Sequence, residues 1–216
     1  MKTNQKTVPA PKKAGKKSFV RKAADSVSFR VQQIKLFVKD TAEDVKSDVE
    51  ATRQRDPAAR NNMEVILLYS GVHAMIAYRV AHRLYEGEHY FSARTISQLA
   101  RHFTGIEIHP GARIGKGLMI DHGMGVVIGE TATIGNNVKL YQGVTIGAKS
   151  FRMNDDGSLV KGVKRHPDIS DDVVIYAGAT VLGGSTLIGK GVVIGGNAWV
   201  THSVESGKVI PSNYVG

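Results

Sequence analysis

From Ile108 onward the chain repeats itself every six residues. It cuts into IHPGAR, IGKGLM, IDHGMG, VVIGET, ATIGNN, VKLYQG and VTIGAK, and after an interruption into ISDDVV, IYAGAT, VLGGST(L), IGKGVV and IGGNAW, with one seven-residue step between Val181 and Ile188. Each unit leads with Ile, Val or, once, Ala, and small or polar residues follow. A short strand plus a turn gives this period. Three such units close a triangular coil whose leading aliphatic residues point inward and stack from coil to coil at about 4.8 Å. Gly and Asn supply the permissive backbone that the corners need. Twelve units therefore predict a parallel β-helix of about four coils. The period alone does not set its hand.

The interruption, residues 149–164, reads KSFRMNDDGSLVKGVK, and its Asp156-Gly157 turn signal between two short strand-like runs predicts a hairpin-like excursion. Excursions from rigid scaffolds often carry ligand contacts. Before the repeats the pattern is helical. Val27, Phe29, Val31, Ile34, Phe37, Val38, Val45 and Val49 recur at mostly three- and four-residue intervals over Ser26–Arg53. In RDPAAR, Asp56 can cap a helix and Pro57 suits its first position, which predicts a helix from Pro57 to Leu84, bent near Gly71. A further helix is expected over Ser92–His102.

Of the net charge of +10, residues 1–22 carry +8, so the body is nearly neutral. That Lys/Pro/Ala-rich stretch buries too little to offset its ordering entropy, and a disordered basic tail is expected over residues 1–25. A solubilising or weakly polyanion-binding arm is its plain reading, and a nucleic-acid partner is not expected. The chain contains no cysteine, which excludes thiolate chemistry and leaves His, Asp and Glu as metal ligands. No apolar run approaches the roughly 20 residues of a membrane span, so a cytoplasmic, membrane-free protein is expected. The expected order is the tail, a helical domain over 26–105, the β-helix over 106–204 with its loop at 149–164, and a C-terminal segment over 205–216. The fold class is α+β.

Eight histidines are present. His73, His82, His89 and His102 fall in the helical half and read as structural, His202 as exposed, and His109 as a turn residue. His122 holds the third position of its unit, which in a three-sided prism faces outward. It has no packing role there.

RDPAAR, IHPGARIGKGLMIDHGMGVVIGETATIGNNVKLYQGVTIGA, KRHP and the closing units together resemble the serine acetyltransferases, hexapeptide-repeat enzymes that move acetyl from acetyl-CoA to the hydroxyl of L-serine on the way to cysteine. The resemblance spans about residues 50–204 and implies a left-handed β-helix. It implies that His122 is the general base, since a positioned imidazole contributes about 10²- to 10⁴-fold by accepting the hydroxyl proton. The family orients this histidine with an aspartate just before IHP, and Glu107 stands there in this chain. Arg165 would bind the serine carboxylate, Asp56 and Asp121 its ammonium, and His166 would complete the pocket. Asp56 also reads as a helix cap alone, and Asp121 as a corner residue. Gly147, Ala148, Ala177 and Gly196 match family contacts with acetyl-CoA, while Val193 stands where the family often has a basic residue. A backbone amide near these glycines would serve the oxyanion.

The resemblance further implies a homotrimer with sites between adjacent prisms, or two trimers stacked through their helices. A stable complex with O-acetylserine sulfhydrylase is not expected, because the sequence reads SNYVG where the family has a docking tail. Three other readings stand beside this one. In the first, the prism is a non-enzymatic scaffold and the basic tail a nucleic-acid arm, which would bind polyanions in a salt-sensitive way. A related acetyltransferase acting on a sugar or antibiotic hydroxyl would not need both Arg165-His166 and Asp56. A zinc carbonic anhydrase of the same repeat class would need three converging histidines, for which His109, His122 and His166 are available.

Overall fold

The computed structural model describes residues 16–216, with side chains described at position 32 and over 34–216. The described residues divide between Asp40 and Thr41 into two compact units. The expected tail lies outside the described residues over positions 1–15. Helix α1 begins at Lys16, ten residues ahead of the expected domain boundary, and runs unbroken to Arg55. Three more helices follow: α2 (Asn62–Leu68), α3 (Ser70–Glu86) and α4 (Tyr90–Thr104). No single helix among the described residues is long and apolar enough to cross a membrane.

The helix expected from Pro57 starts later. Asp56 Oδ1 accepts from the Ala58 amide at 2.8 Å, but this closes only a turn. The cap of α2 is Asn61, whose side chain accepts from the Glu64 amide at 2.9 Å, while Glu64 reaches back to the amide of Arg60. The expected bend also moves. It falls at Tyr69, in extended backbone, where α2 and α3 meet at 77°. Gly71 serves another purpose, because a Cβ there would lie 2.1 Å from the carbonyl oxygen of Ile120. The glycine lets α3 press onto the β-helix.

The repeats fold as expected, into a left-handed parallel β-helix. Its first coil carries β1 (Glu107–Ile108), β2 (Arg113–Ile114) and β3 (Met119–Ile120), and its second β4 (Val127–Ile128), β5 (Thr133–Ile134) and β6 (Lys139–Leu140). The third carries β7 (Thr145–Gly147), β8 (Asp168–Ile169) and β9 (Val174–Ile175), and the fourth β10 (Thr180–Leu182), β11 (Leu187–Ile188) and β12 (Val193–Ile194). Beyond them come β13 (Trp199–Val200) and β14 (Val209–Ile210). The first face is β1-β4-β7-β10-β13, the second β2-β5-β8-β11, and the third β3-β6-β9-β12-β14. Residues 205–216, expected as a separate segment, extend this prism: β14 pairs with β12, and Val215 bridges Trp199.

Register follows the leading residues as far as Ile120; the next step, to Ile128, spans eight residues, so Ile128, Ile134, Leu140 and Ile146, the third residues of their units, take over the stacking positions. Ile108, Ile128, Ile146, Val181 and Val200 stack inside the first face, and Ile120, Leu140, Ile175 and Ile194 inside the third, all buried. Each such side chain contributes about 1.5–3 kcal/mol by leaving water. The loop is the expected hairpin, with Met153 bridged antiparallel to Leu159 and Asp156 capping the Ser158 amide.

One buried ion pair ties the helices to the first coil. Asp48 of α1 and Arg79 of α3 are 2% and 5% exposed, with Nε 2.9 Å from Oδ2. Arg79 also donates to the carbonyls of Ile114 and Gly115, while Asp48 accepts from the amides of Gly117 and Leu118.

Candidate active site

His122 stands just after β3, on the edge where the third face turns into the first. Its backbone takes φ 60°, a left-handed conformation that a side chain rarely adopts, and Gly123 follows at φ 81°. A Cβ on Gly123 would meet Ile106 at 2.4 Å, so the turn is pinned against the core. Ser70 Oγ, at the start of α3, donates to the His122 carbonyl at 3.2 Å. The Gly71 approach to Ile120 and the Ser70 hydroxyl thus fix the histidine from below. Its side chain is 74% exposed, outward as expected, but the cause is the eight-residue step from Ile120 to Ile128, since the third residues of the next units, such as Ile128 and Ile146, are buried.

Acidic groups gather beside it. Asp121 places Oδ1 3.9 Å from His122 Nε2 and Oδ2 3.3 Å from Lys139 Nζ. Partial burial and the nearby carboxylates of Asp56, Glu64 and Asp121, Asp56 foremost, hold the Tyr69 phenol above its usual range. Asp56, Tyr69, Asp121, Lys139 and His122 therefore form one cluster. Tyr69 reaches it because the helix breaks there.

Arg165 and His166 lie on a different edge, between the first and second faces, where the hairpin returns to β8. Thr131 Oγ1 accepts from both of their amides, at 3.0 and 3.1 Å, which fixes the return of the chain. The Arg165 guanidinium pairs with Glu130, whose other oxygen accepts from the Tyr85 hydroxyl at 3.0 Å. Those bonds outweigh burial and hold the Glu130 carboxyl below its usual range. His166 is only 7% exposed. Its Nδ1 accepts from the Thr131 amide at 3.1 Å, and a Cβ on Gly129 would strike its ring at 2.1 Å. Burial, reinforced by the Arg165 cation, lowers its pKa to about 4. At neutral pH this ring is uncharged, with its proton on Nε2.

His109 accepts from the Gly111 amide through Nδ1, as a turn residue would, and burial lowers its pKa. His73 and His82 are bonded to the carbonyls of Ile66 and Pro110, in keeping with structural roles. Among the described residues, no group of three His, Asp or Glu side chains converges as a metal site.

Glu107 is not joined to His122 by a hydrogen bond. Both its oxygens are taken by helix α4, with Arg94 at 3.0 Å and Arg101 at 3.2 Å. Two guanidiniums outcompete a neutral imidazole for one carboxylate. The small residues expected to face acetyl-CoA divide as the polar ones do. Ala177 and Gly196 stack on the His122 edge, joined by the Asn197 amide on the Ala177 carbonyl, and line a cavity of about 480 Å³ with Tyr176, Val193, Val209 and Pro211. Gly147 and Ala148 lie on the Arg165 edge, above a cavity of about 370 Å³ lined by Lys149, Phe151, Arg152, Gly183 and Gly184. One hexad of strand separates the two edges, at most about 20 Å.

The sequence reading missed Tyr69, Ser70, Glu130 and Lys139. Glu130 and Lys139 sit within the repeat like any other polar residue, and nothing local marks them. Tyr69 and Ser70 follow an apolar run, and only the helix break gives them a role.

Comparison with known proteins points one way. Residues 16–100 match the family model described as the N-terminal region of serine acetyltransferase. A plasmid-borne serine acetyltransferase of Synechococcus elongatus is 52% identical over 164 residues, covering 76% of this chain and 51% of the relative. The chain thus aligns with about half of that relative's length. A serine acetyltransferase of Bacillus licheniformis is 55% identical over 160 residues, 74% of this chain and 69% of its own. The crystal structure of the Neisseria gonorrhoeae serine acetyltransferase in complex with serine superposes with a TM-score of 0.71 at 36% identity, covering 79% of this chain and 66% of that one.

Proposed function

The chain belongs to the serine acetyltransferase family, and on that premise we propose that it transfers acetyl from acetyl-CoA to L-serine, giving O-acetyl-L-serine and free coenzyme A. His122 removes the proton from the serine hydroxyl as its oxygen attacks the thioester carbonyl. The C–S bond then breaks, and the departing thiolate takes that proton back from the imidazolium. No covalent acyl-enzyme forms. Asp56 and Asp121 hold the ammonium, and Arg165, anchored by Glu130, offers its fork to the carboxylate. His166 is a neutral donor from Nε2. A backbone amide near the glycines serves the oxyanion. Glu107 orients His122 only by exchanging one of its arginine partners.

One observation carries this reading: the expected residues divide between two edges in the same way twice. His122, Asp121, Ala177 and Gly196 share one edge, while Arg165, His166, Gly147 and Ala148 share the other. Acceptor and acetyl-CoA residues alike come in two halves that a single prism keeps apart. We therefore assign the protein a trimer, in which the His122 edge of one chain meets the Arg165 edge of the next. The cytoplasm is the compartment that fits this reading. The test is release of coenzyme A thiol with L-serine as acceptor, which falls by about 10²-fold or more in His122→Ala. Full activity in that variant refutes the mechanism, and turnover with sugars but not serine refutes the substrate.

A further inference from the structure

Asp121, the carboxylate beside His122, already has a cation on it. Lys139 Nζ stands 3.3 Å from its Oδ2 and 4.7 Å from the centre of the Tyr141 ring. Only 15% of the Lys139 side chain is exposed, an unusual confinement for a lysine. Its neighbours in register are Met119 on β3 and Val174 on β9, neither of which offers a side-chain oxygen. Tyr141 is itself held by stacking on Tyr176, with centroids 5.0 Å apart and planes within 10°. The ammonium is thus fenced by apolar and aromatic groups and directed at Asp121. Burial opposes its charge, yet hydrogen bonds to Tyr141 and Asp121 raise its pKa above the ordinary lysine value.

We propose that Lys139 is a specificity-determining residue of the acceptor site, sharing Asp121 with the acceptor's ammonium and so setting how strongly the site prefers an amine. This rests on the serine acetyltransferase reading above. Asp56 and Asp121 bring two negative charges and Lys139 one positive, so the subsite carries a net −1 that a single acceptor ammonium closes to zero. Removing the lysine charge leaves −2 and an undivided Asp121. An amine-bearing acceptor gains from that change, and an acceptor that lacks the amine does not.

The experiment compares the full-length wild type with Lys139→Met and Lys139→Arg, using L-serine and 3-hydroxypropionate, which is serine without its amine. In Lys139→Met the KM for L-serine falls roughly tenfold, the scale of one charge-assisted hydrogen bond. The KM for acetyl-CoA stays put, inhibition by 3-hydroxypropionate does not strengthen, and Lys139→Arg restores the wild-type constants. A merely structural lysine would instead shift kcat and both KM values together and would lower the thermal midpoint. An unchanged or raised serine KM in Lys139→Met, or equal strengthening for both acceptors, overturns the proposal. If the wild type fails to acetylate serine, the activity reading falls and this proposal with it. An active wild type whose Met variant shows no change in preference sinks the Lys139 assignment alone.

Discussion

Replacing Asp48 with alanine should be among the most damaging single changes outside the site. The carboxylate accepts four hydrogen bonds, from Arg79 Nε at 2.9 Å, Arg79 Nη2 at 3.1 Å, and the amides of Gly117 and Leu118 at 3.0 and 3.1 Å. Asp48→Ala strands both amides and leaves a buried guanidinium with only the carbonyls of Ile114 and Gly115, at 2.7 and 2.6 Å. Breaking a buried pair from one side costs about 3–5 kcal/mol, because the surviving charge stays desolvated. Burial pushes the Asp48 carboxyl above its usual range even with Arg79 beside it, so the intact pair is not a large net stabiliser. The double variant Asp48→Leu/Arg79→Met should therefore lose less than either single change. Urea unfolding at one fixed chain concentration measures both quantities. A loss below about 1 kcal/mol for Asp48→Ala would refute the reasoning, since it would mean that water reaches the pair.

Other outcomes can be checked more briefly. His166 titrates at about 4 in the fold against 6.5 free, so it stays neutral while the unfolded chain takes up a proton. Its contribution is fully present above pH 6.5 and is lost as pH falls toward 4, by at most about 3 kcal/mol. His166→Gln should flatten that part of a stability-against-pH curve, and an unaltered slope would remove the assignment. Gly71→Ala drives a methyl to within 2.1 Å of the Ile120 carbonyl oxygen. It should lower kcat by about tenfold to a hundredfold by displacing His122, with circular dichroism retained; full activity would show that α3 does not position the histidine. Finally, inactive His122→Ala and Arg165→Ala chains, unfolded and refolded together, should recover about a quarter of wild-type activity, because each intact site needs one residue from each of two neighbours in a random trimer. No recovery would place the whole site within one chain.

The prism was legible because its signal is periodic, but its phase was not: Ile108 leads its unit, whereas Ile128 and Ile146, which stack on it, are third in theirs, because the corner after Ile120 carries two extra residues. Helix ends were less legible. Asp56-Pro57 has the chemistry of a helix start, but the stronger reciprocal cap, Asn61 with Glu64, lay five residues on. Gly71 looked like a hinge, whereas its missing Cβ makes room for a neighbouring strand. For the site, the edge positions of His122 and Arg165 follow from the repeat. The partners of Glu107 do not, because Arg94 and Arg101 approach it from a helix whose docking no short-range pattern encodes. The C-terminal coil escaped notice because the six-residue spacing lapses after Trp199, although the backbone ladder continues to Val215.

The hairpin leaves the prism after β7 and returns at Asp168, yet Thr133 pairs with Asp168 and Lys139 with Val174 as though nothing intervened. Coil geometry and hairpin length are thus independent variables. Doubling such a loop adds only about 0.6 kcal/mol of closure entropy. Lineages can lengthen, shorten or exchange this segment, and with it the lining beside Arg165, without disturbing the stacked frame. The scaffold is a fixed rail, and the excursion is the part on which selection can experiment at low cost.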